Sequence, residues 1–421
     1  MFAQRFRTAN ASIDSLRSET GRCFPNFPLV PMQMLCQKAK YRERLTDSFC
    51  MNEHPPATLP LALDDLPHSL GYPSHGRVTI GGESLAVTPV FDAYWRFAAE
   101  RQQIFFRRLE RRTVTLTTDP VLERFRFTNA YRASDRVSQY LIRRVIYRDD
   151  LPPDYINLFF RILLFKLFNK IETWQLLESE LGPLAWETFA FDRYDALLSR
   201  TKARGDRIYS AAYIMPSGRS AFGHPAKHQN HLRLIEWTIR NDYPARLARC
   251  ASMSTAFTLL RSIPSLGPFL AYQYVTDFNY STLTKFSEHE FVVAGPGALD
   301  GIDKCFVGAK RVAAADVIRY MYENQERHFA ALGLQFASLW GRRLQLIDCQ
   351  NVFCEISKYA RVAFPEFAGV AGRTRIKQKF SNRGSLPAPW YPPKWGLNER
   401  IQDSARRTSL TSAMAVAVQI T

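Results

Sequence analysis

Asp348, Asn351, Glu355 and Lys358 stand at i, i+3, i+7 and i+10, so a helix through them carries one polar stripe. Apolar Val352, Phe353 and Ile356 flank it. Two carboxylates, an amide and an amine on one face can position a nucleophile, take its proton and hold a phosphate. The same spacing also suits an exposed helix face with a Glu355–Lys358 pair. A second cluster is Phe127-Thr-Asn129-Ala-Tyr131-Arg132-Ala-Ser-Asp135-Arg136. A helix from Asn129 onward puts Asn129, Arg132 and Arg136 on one face, an amide to read a base edge and two guanidiniums for phosphates. The alternative is a capped helix with an Arg132–Asp135 surface pair.

Three further stretches have chemistry-bearing composition. Leu260-Arg-Ser-Ile-Pro-Ser265-Leu-Gly267-Pro268-Phe-Leu-Ala271 reads as a helix, a tight turn and a new helix with Pro268 in its first turn. At Gly267 the expectation is a backbone closed to other residues and close approach of a phosphate to the next helix start. The pattern resembles the helix-hairpin-helix of DNA glycosylases, with Ser265 where a first glycine usually stands. Gly295-Pro-Gly297-Ala-Leu-Asp-Gly301 can approach a phosphate or a base, but it lacks a P-loop ending, and no P-loop occurs in the chain. His224, His228 and His231 have ligand-like spacing, yet Gly223 and Pro225 break the helix at the first, so no metal is expected.

The elements that must carry these residues are mostly helices. Periodicity predicts helices at about 91–109, 130–146, 153–177, 186–203, 227–241, 253–260, 268–278, 313–340 and 345–359. The best strand signals are 77–80 and 113–117. Residues 1–87 read as a partly disordered, Pro-rich extension, 88–395 as the helical domain and 396–421 as a tail. The 421 residues include 46% hydrophobic ones, which excludes wholesale disorder. A net charge of +17 favours an anionic partner, nucleic acid first, although charge can also serve solubility alone. Seven scattered cysteines without a C-x-x-C pair argue against a disulfide framework and fit a reducing compartment. No segment reads as a membrane span, so the expected location is intracellular, nuclear in a eukaryote and otherwise cytoplasmic.

Taken in order, several motifs resemble one family. They are Phe127-Thr-Asn129-x-Tyr131-Arg132-x-x-Asp135-Arg136, Ala212-Tyr213, Lys227-His228-x-Asn230-His231, Ile263-Pro-x-Leu-Gly267-Pro-Phe-Leu-Ala271-Tyr, Asp277-x-Asn279-Tyr280-Ser281, Glu290-Phe-Val-Val-Ala-Gly295-Pro-Gly297 and Asp348-x-Gln-Asn351-x-x-Cys354-Glu355-x-x-Lys358-Tyr359-x-Arg361. The set is similar to the helical domain of 5-hydroxymethyluracil DNA kinases, a group also called α-glutamyl/putrescinyl-thymine pyrophosphorylases. The resemblance covers roughly 88–395 and implies a mainly α fold related to helix-hairpin-helix glycosylases. It implies a transferase of thymine hypermodification acting on a flipped base in DNA. With no P-loop, displacement of a pyrophosphate by an amine fits better than self-sufficient phosphorylation. The alternatives are a non-catalytic DNA-binding module that partners a kinase, and a base-excising glycosylase. The catalytic candidates are Asp348, Glu355, Lys358, Asp277 and Glu290. The candidates for substrate or DNA are Asn129, Tyr131, Arg132, Arg136, Lys227, His228, Gly267, Asn279, Tyr280, Gly295, Gly297, Asn351 and Tyr359. The expected partner is DNA, with a separate kinase or a base-oxidising oxygenase beside it. No cofactor and no membrane are expected.

Overall fold

Two strands open the described part of the chain, β1 (Arg77–Ile80) and β2 (Glu83–Val87), joined by a Gly81-Gly82 turn with both glycines at positive φ. The coordinates are a computed structural model, and it describes residues 76–110, 115–367, 369–381 and 386–404. These lie within one compact unit, 63–421; the other unit, 1–62, falls outside the described residues. The helices are α1 (Pro89–Leu109), α2 (Pro120–Arg124), α3 (Arg136–Tyr140), α4 (Tyr155–Phe168), α5 (Ile171–Leu181), α6 (Phe191–Ala203), α7 (Arg219–Phe222) and α8 (Lys227–Arg240). Next come α9 (Tyr243–Ala248), α10 (Met253–Arg261), α11 (Pro268–Phe278) and α12 (Pro296–Cys305). A short strand β3 (Phe306–Val307) precedes α13 (Ala314–Glu323), α14 (Gln325–Ala331) and α15 (Leu346–Ala363). The fold is mainly helical with one small sheet of order β1-β2-β3. The expected strand at 77–80 is β1; its hairpin, assigned from sequence to the extension, pairs through Ala86 and Val87 with β3. Of the expected strand 113–117, residues 113 and 114 lie outside the described residues, and 115–117 form no strand.

The core explains the helix faces. α1 buries Tyr94, Trp95, Phe97, Ile104 and Phe105. α4 is buried along nearly its whole length, from Asn157 to Phe168. This central helix ends at Asn169, whose left-handed backbone (φ 49°) breaks the single helix expected over 153–177. The helix expected over 130–146 is likewise broken. Residues 132–134 form one 3-10 turn, Asp135 is extended, and a π-helical turn spans Leu141–Ile146. Asn129, Arg132 and Arg136 therefore do not share a helix face. The reason is tertiary: the Thr128 and Arg132 amides and the Asn129 carbonyl bond to side chains of α15, while the turn bonds Ser134 to Tyr131 and Asp135 to Arg132 stay within the segment. The helix expected over 313–340 is split at Asn324 into α13 and α14 and ends at Ala331, and Gly333 (φ 64°) turns the chain away.

The turn between α10 and α11 also differs from expectation. Gly267 has an ordinary extended backbone (φ −72°, ψ 172°) and caps α11. The left-handed residue is Ser265 (φ 70°), so a serine holds the conformation that a glycine holds most cheaply.

The closest helix pairing is α12 on α15. A Cβ on Gly301 would overlap the Phe353 carbonyl, and one on Gly297 would lie 3.2 Å from the Cys354 sulfur. The glycine-rich stretch is thus a packing seam in part. At the far end of the described chain, residues 390–398 strap back across the helices. Tyr391 Oη meets Ser134 Oγ at 2.8 Å, and the Trp390 amide donates to Gln139. Lys394 donates to the carbonyls of Ser281 and Thr284. Trp395 donates to Glu288 while Arg342 lies over its ring at 3.9 Å.

Gly301→Ala is expected to destabilise the fold by about 3 kcal/mol or more, because backbone must move. Gly267→Ala, with nothing within 4 Å of the new carbon and a permitted φ, is expected to be neutral or stabilising by up to about 1 kcal/mol. Denaturant midpoints of the two variants check this pair.

Candidate functional site

The polar stripe of α15 forms as expected, and it faces inward onto residues 127–132. Asp348 accepts from the Arg132 amide with Oδ1 (2.9 Å) and from the Gln345 amide with Oδ2 (3.0 Å), closing a capping box. Asn351 donates to the Asn129 carbonyl (3.0 Å) and the Thr128 hydroxyl (3.1 Å). Glu355 accepts from the Thr128 amide (3.0 Å) and pairs with Lys358 (2.7 Å), whose ammonium lies 4.5 Å from the centre of the Phe127 ring. Arg101 of α1 closes the other side, donating to the Thr128 carbonyl and to Asn129 Oδ1. Four side chains on two helices thus hold an irregular segment that has no ladder of its own.

Beneath it lies a buried ion cluster. Arg132 makes a bidentate pair with Asp277 (2.8 and 3.0 Å) and also donates to Gln273 and Tyr280. Lys166 of α4 reaches the same carboxylate at 3.0 Å and donates to Asn169. Burial opposes the Asp277 charge, but the two cations outweigh it and hold the carboxyl below its ordinary range. Burial lowers the Lys166 amine, and the Arg132 charge adds to that effect while Asp277 opposes it. Asp277, Arg132 and Tyr280 are therefore anchored inside the protein.

The half-buried carboxylate here is Asp135, whose Oδ1 accepts from the Asn129 amide at 2.9 Å. Burial pushes its carboxyl up to about 7; the neighbouring Glu355 charge adds, while the Asn129 amide, Arg101 and Arg132 oppose. Tyr213 lies within electrostatic reach of Arg132, Asp135, Asp277 and Cys354. Tyr213 is half-buried, stacks on Phe269 (centroids 5.9 Å apart, planes 16° apart) and lies under the Lys166 ammonium at 4.8 Å. Its φ of 53° is rare for an aromatic residue, a strain typical of functional positions. Gly295 fits against Phe269, where a Cβ would be 2.6 Å from the ring. Gln273, Gln350 and Cys354 continue as a chain of contacts at 3.4 and 3.0 Å. The result is an aromatic stack, amide groups and a weakly basic carboxylate side by side, a set that suits a planar heterocycle carrying a reactive substituent.

The other expected residues lie elsewhere in the framework. Tyr131 bridges the Arg342 carbonyl and the Leu339 amide. Asn279 fastens the 280–286 loop through Thr284 and Phe286. Tyr359 donates to Asp119, which caps α2. His228 is buried on Asp195 (2.8 Å) and Ser199 (3.0 Å), and Lys227 lies over the Tyr209 ring. His231 bonds Tyr209 and the Pro216 carbonyl, so the three histidines do not converge, and among the described residues no His/Cys/Asp/Glu group suits a metal. Arg136 is exposed on Glu172 rather than beside Arg132. Glu290 is exposed, its carbonyl taken by Arg319. Sequence reasoning missed Arg101 and Gln273 as members of the cluster; Gln350 and Asp135 stood in its motifs, Asp135 with a role only as a partner of Arg132. The left-handed backbone at Tyr213 left no sequence signal.

The family described as 5-hmdU DNA kinase, helical domain, matches residues 88–369, and the chain belongs to it. The chain is 27% identical over 292 residues to the 5-hmdU DNA kinase of Bacillus phage SP10, a match covering 64% of this chain and 45% of that protein. The chain thus spans about half the length of this curated relative. No solved structure matches. Among the described residues no helix is long and apolar enough to cross a membrane.

Two outcomes follow from the ionic groups. Asp277→Asn leaves Arg132 and Lys166 buried without their counter-charge, and it is expected to cost about 3–5 kcal/mol in chemical denaturation. Asp135 holds a proton in the folded state between the ordinary aspartate value of 3.8 and about 7, where the unfolded chain has released it. Its contribution therefore stabilises at low pH and is lost as pH rises through about 7. His231 and His328, lowered to about 4 by burial, act with the opposite sign below their ordinary value of 6.5. The measurement is thus the difference in melting temperature between wild type and Asp135→Asn. Relative to the variant, wild type is expected to lose stability as pH rises from about 5 to about 7.

Proposed function

We propose that this protein binds DNA and acts on a 5-hydroxymethyluracil-type base, transferring a group at the 5-hydroxymethyl position. The observation that carries the reading is Asp135, a half-buried carboxylate held by the Asn129 amide, within electrostatic reach of Glu355 and of Tyr213, which stacks on Phe269. Membership of the family and the name of the phage relative supply the substrate class. A base inside a duplex must be flipped out to react, and stacked aromatics with amide edges suit a flipped pyrimidine. The helix pair α10–α11 is assigned to the DNA backbone, in the manner of a helix-hairpin-helix.

The reaction proposed is displacement of a pyrophosphate by an amine. The nitrogen lone pair forms a bond to the 5-methylene carbon as its bond to oxygen breaks. Pyrophosphate leaves with the electron pair, and a carboxylate takes the proton released by the amine. A carboxyl titrating near neutrality is matched to that task. Lys166 and Arg132, with one carboxylate between them, leave positive charge behind Tyr213, which favours the departing anion. The chain has no P-loop, so phosphorylation would draw its ATP site from another domain or protein.

A second reading is a non-catalytic DNA-binding module that partners a kinase. It is favoured by one observation: Asp348, Asn351 and Glu355 spend polar atoms on the protein's own backbone.

Glu355→Gln keeps an acceptor for the Thr128 amide but loses charge and basicity. The expected result is loss of turnover on DNA carrying an activated 5-hydroxymethyluracil, with DNA affinity within about twofold of wild type, whereas an ion pair of stability alone leaves turnover normal. Nucleoside mass spectrometry and a binding titration on the same variant decide it. No turnover in wild type, with base-selective binding intact, supports the module instead.

A further inference from the structure

Beyond the matched family region, residues 369–381 run across the outside of α15 and α2. Arg373, Arg375, Lys377 and Lys379 occupy every second position, and all four are exposed. Ile376 is buried between them. The segment is built in at several points along its length. The Ala371 amide donates to the buried Asp300, Arg361 of α15 donates to the Arg375 carbonyl, and the Arg126 amide donates to the Gln378 carbonyl. The Phe380 amide donates to the Arg124 carbonyl, and Lys379 bridges antiparallel to Phe125. Arg124 and Arg126 are exposed as well. None of these six cations has an ion pair among the described residues, and the nearby acids in sequence are Asp119, Glu123 and Glu366. Arg126 stands two residues before Thr128, and Arg361 one turn beyond Lys358, so the basic run is continuous in the chain with the candidate site.

We propose that Arg373, Arg375, Lys377 and Lys379, with Arg124 and Arg126, form a binding site for the phosphate backbone of DNA beside the base being modified. The inference rests on the proposed action on DNA and adds where the flanking backbone lies. Six residues of chain reach at most about 20 Å, enough for several successive phosphates. Anchoring through backbone atoms leaves the cationic heads free to meet them. Contacts of this type fix register without reading sequence, so they are expected to strengthen binding to all DNA alike.

The test compares two fourfold variants of the full chain on duplex and single-stranded oligonucleotides across a salt series. One carries Arg373→Gln, Arg375→Gln, Lys377→Gln and Lys379→Gln. The control carries Arg193→Gln, Lys202→Gln, Arg204→Gln and Arg207→Gln, four exposed cations at α6 and just after it with the same total charge. Each phosphate contact contributes about 0.9 to the log–log salt slope on duplex DNA and about 0.7 on a single strand. The first variant is expected to lose about 3.6 from the slope on duplex, or about 2.8 on a single strand, and the control almost nothing. Lys377 and Lys379 are expected to be shielded from acetylation by bound DNA in wild type, a readout needing no variant. Equal losses in both variants, an unchanged slope in the first, or unshielded lysines overturn the proposal. Preference for 5-hydroxymethyluracil over thymine, measured in parallel, separates the two readings. If wild type shows no preference but the slope change holds, the proposed function fails while the backbone site stands.

Discussion

The guanidinium of Arg132 is the point through which four parts of the chain are tied together. Its side chain locks onto Asp277 and Gln273 of α11, and Asp277 in turn holds Lys166 of α4. Its backbone amide is held by Asp348 at the start of α15. Burying three charges costs several kcal/mol per ion, and only close geometry with every carboxylate oxygen engaged offsets that. The bidentate pair meets the requirement and admits very few arrangements of the surrounding helices. Asp135 and the Tyr213 ring then have their positions fixed by the same cluster.

The α15 stripe is a scaffold for the segment at 127–132. Asp348, Asn351 and Glu355 hold three backbone groups across residues 128–132 that no ladder satisfies. An irregular segment can then be rigid inside the protein without being regular. Rigidity is what a reactive group needs, since misplacement of a carboxylate by an ångström costs rate steeply.

Much of the helical framework was legible in the sequence, because period and capping are local. α11 begins at Pro268 and ends at Phe278, the limits the apolar spacing predicts. The stripe on α15 was legible for the same reason. What was not legible depends on distant partners. Residues 130–146 have a helical pattern, yet the Arg132 amide goes to Asp348 of α15, and the regular helix begins only at Arg136. Asp277 reads as a candidate base, and only the arrival of Arg132 and Lys166, more than a hundred residues earlier in the chain, turns it into an anchor. The glycine expected to be left-handed, Gly267, is ordinary because the turn places its unusual angle two residues before. The pair of Asp135 with the Tyr213–Phe269 stack draws on three separated segments and has no local signature.

The strap at 390–398 imposes an order in time. Tyr391 and Trp390 fasten onto Ser134 and Gln139, some 250 residues upstream, on either side of Asp135. During synthesis the helices that carry the cluster precede this late segment, whose groups bond to the Ser134 and Gln139 side chains. Contacts of such sequence separation form slowly. The neighbourhood of Asp135 is therefore fastened only once residues 390 and 391 have been made.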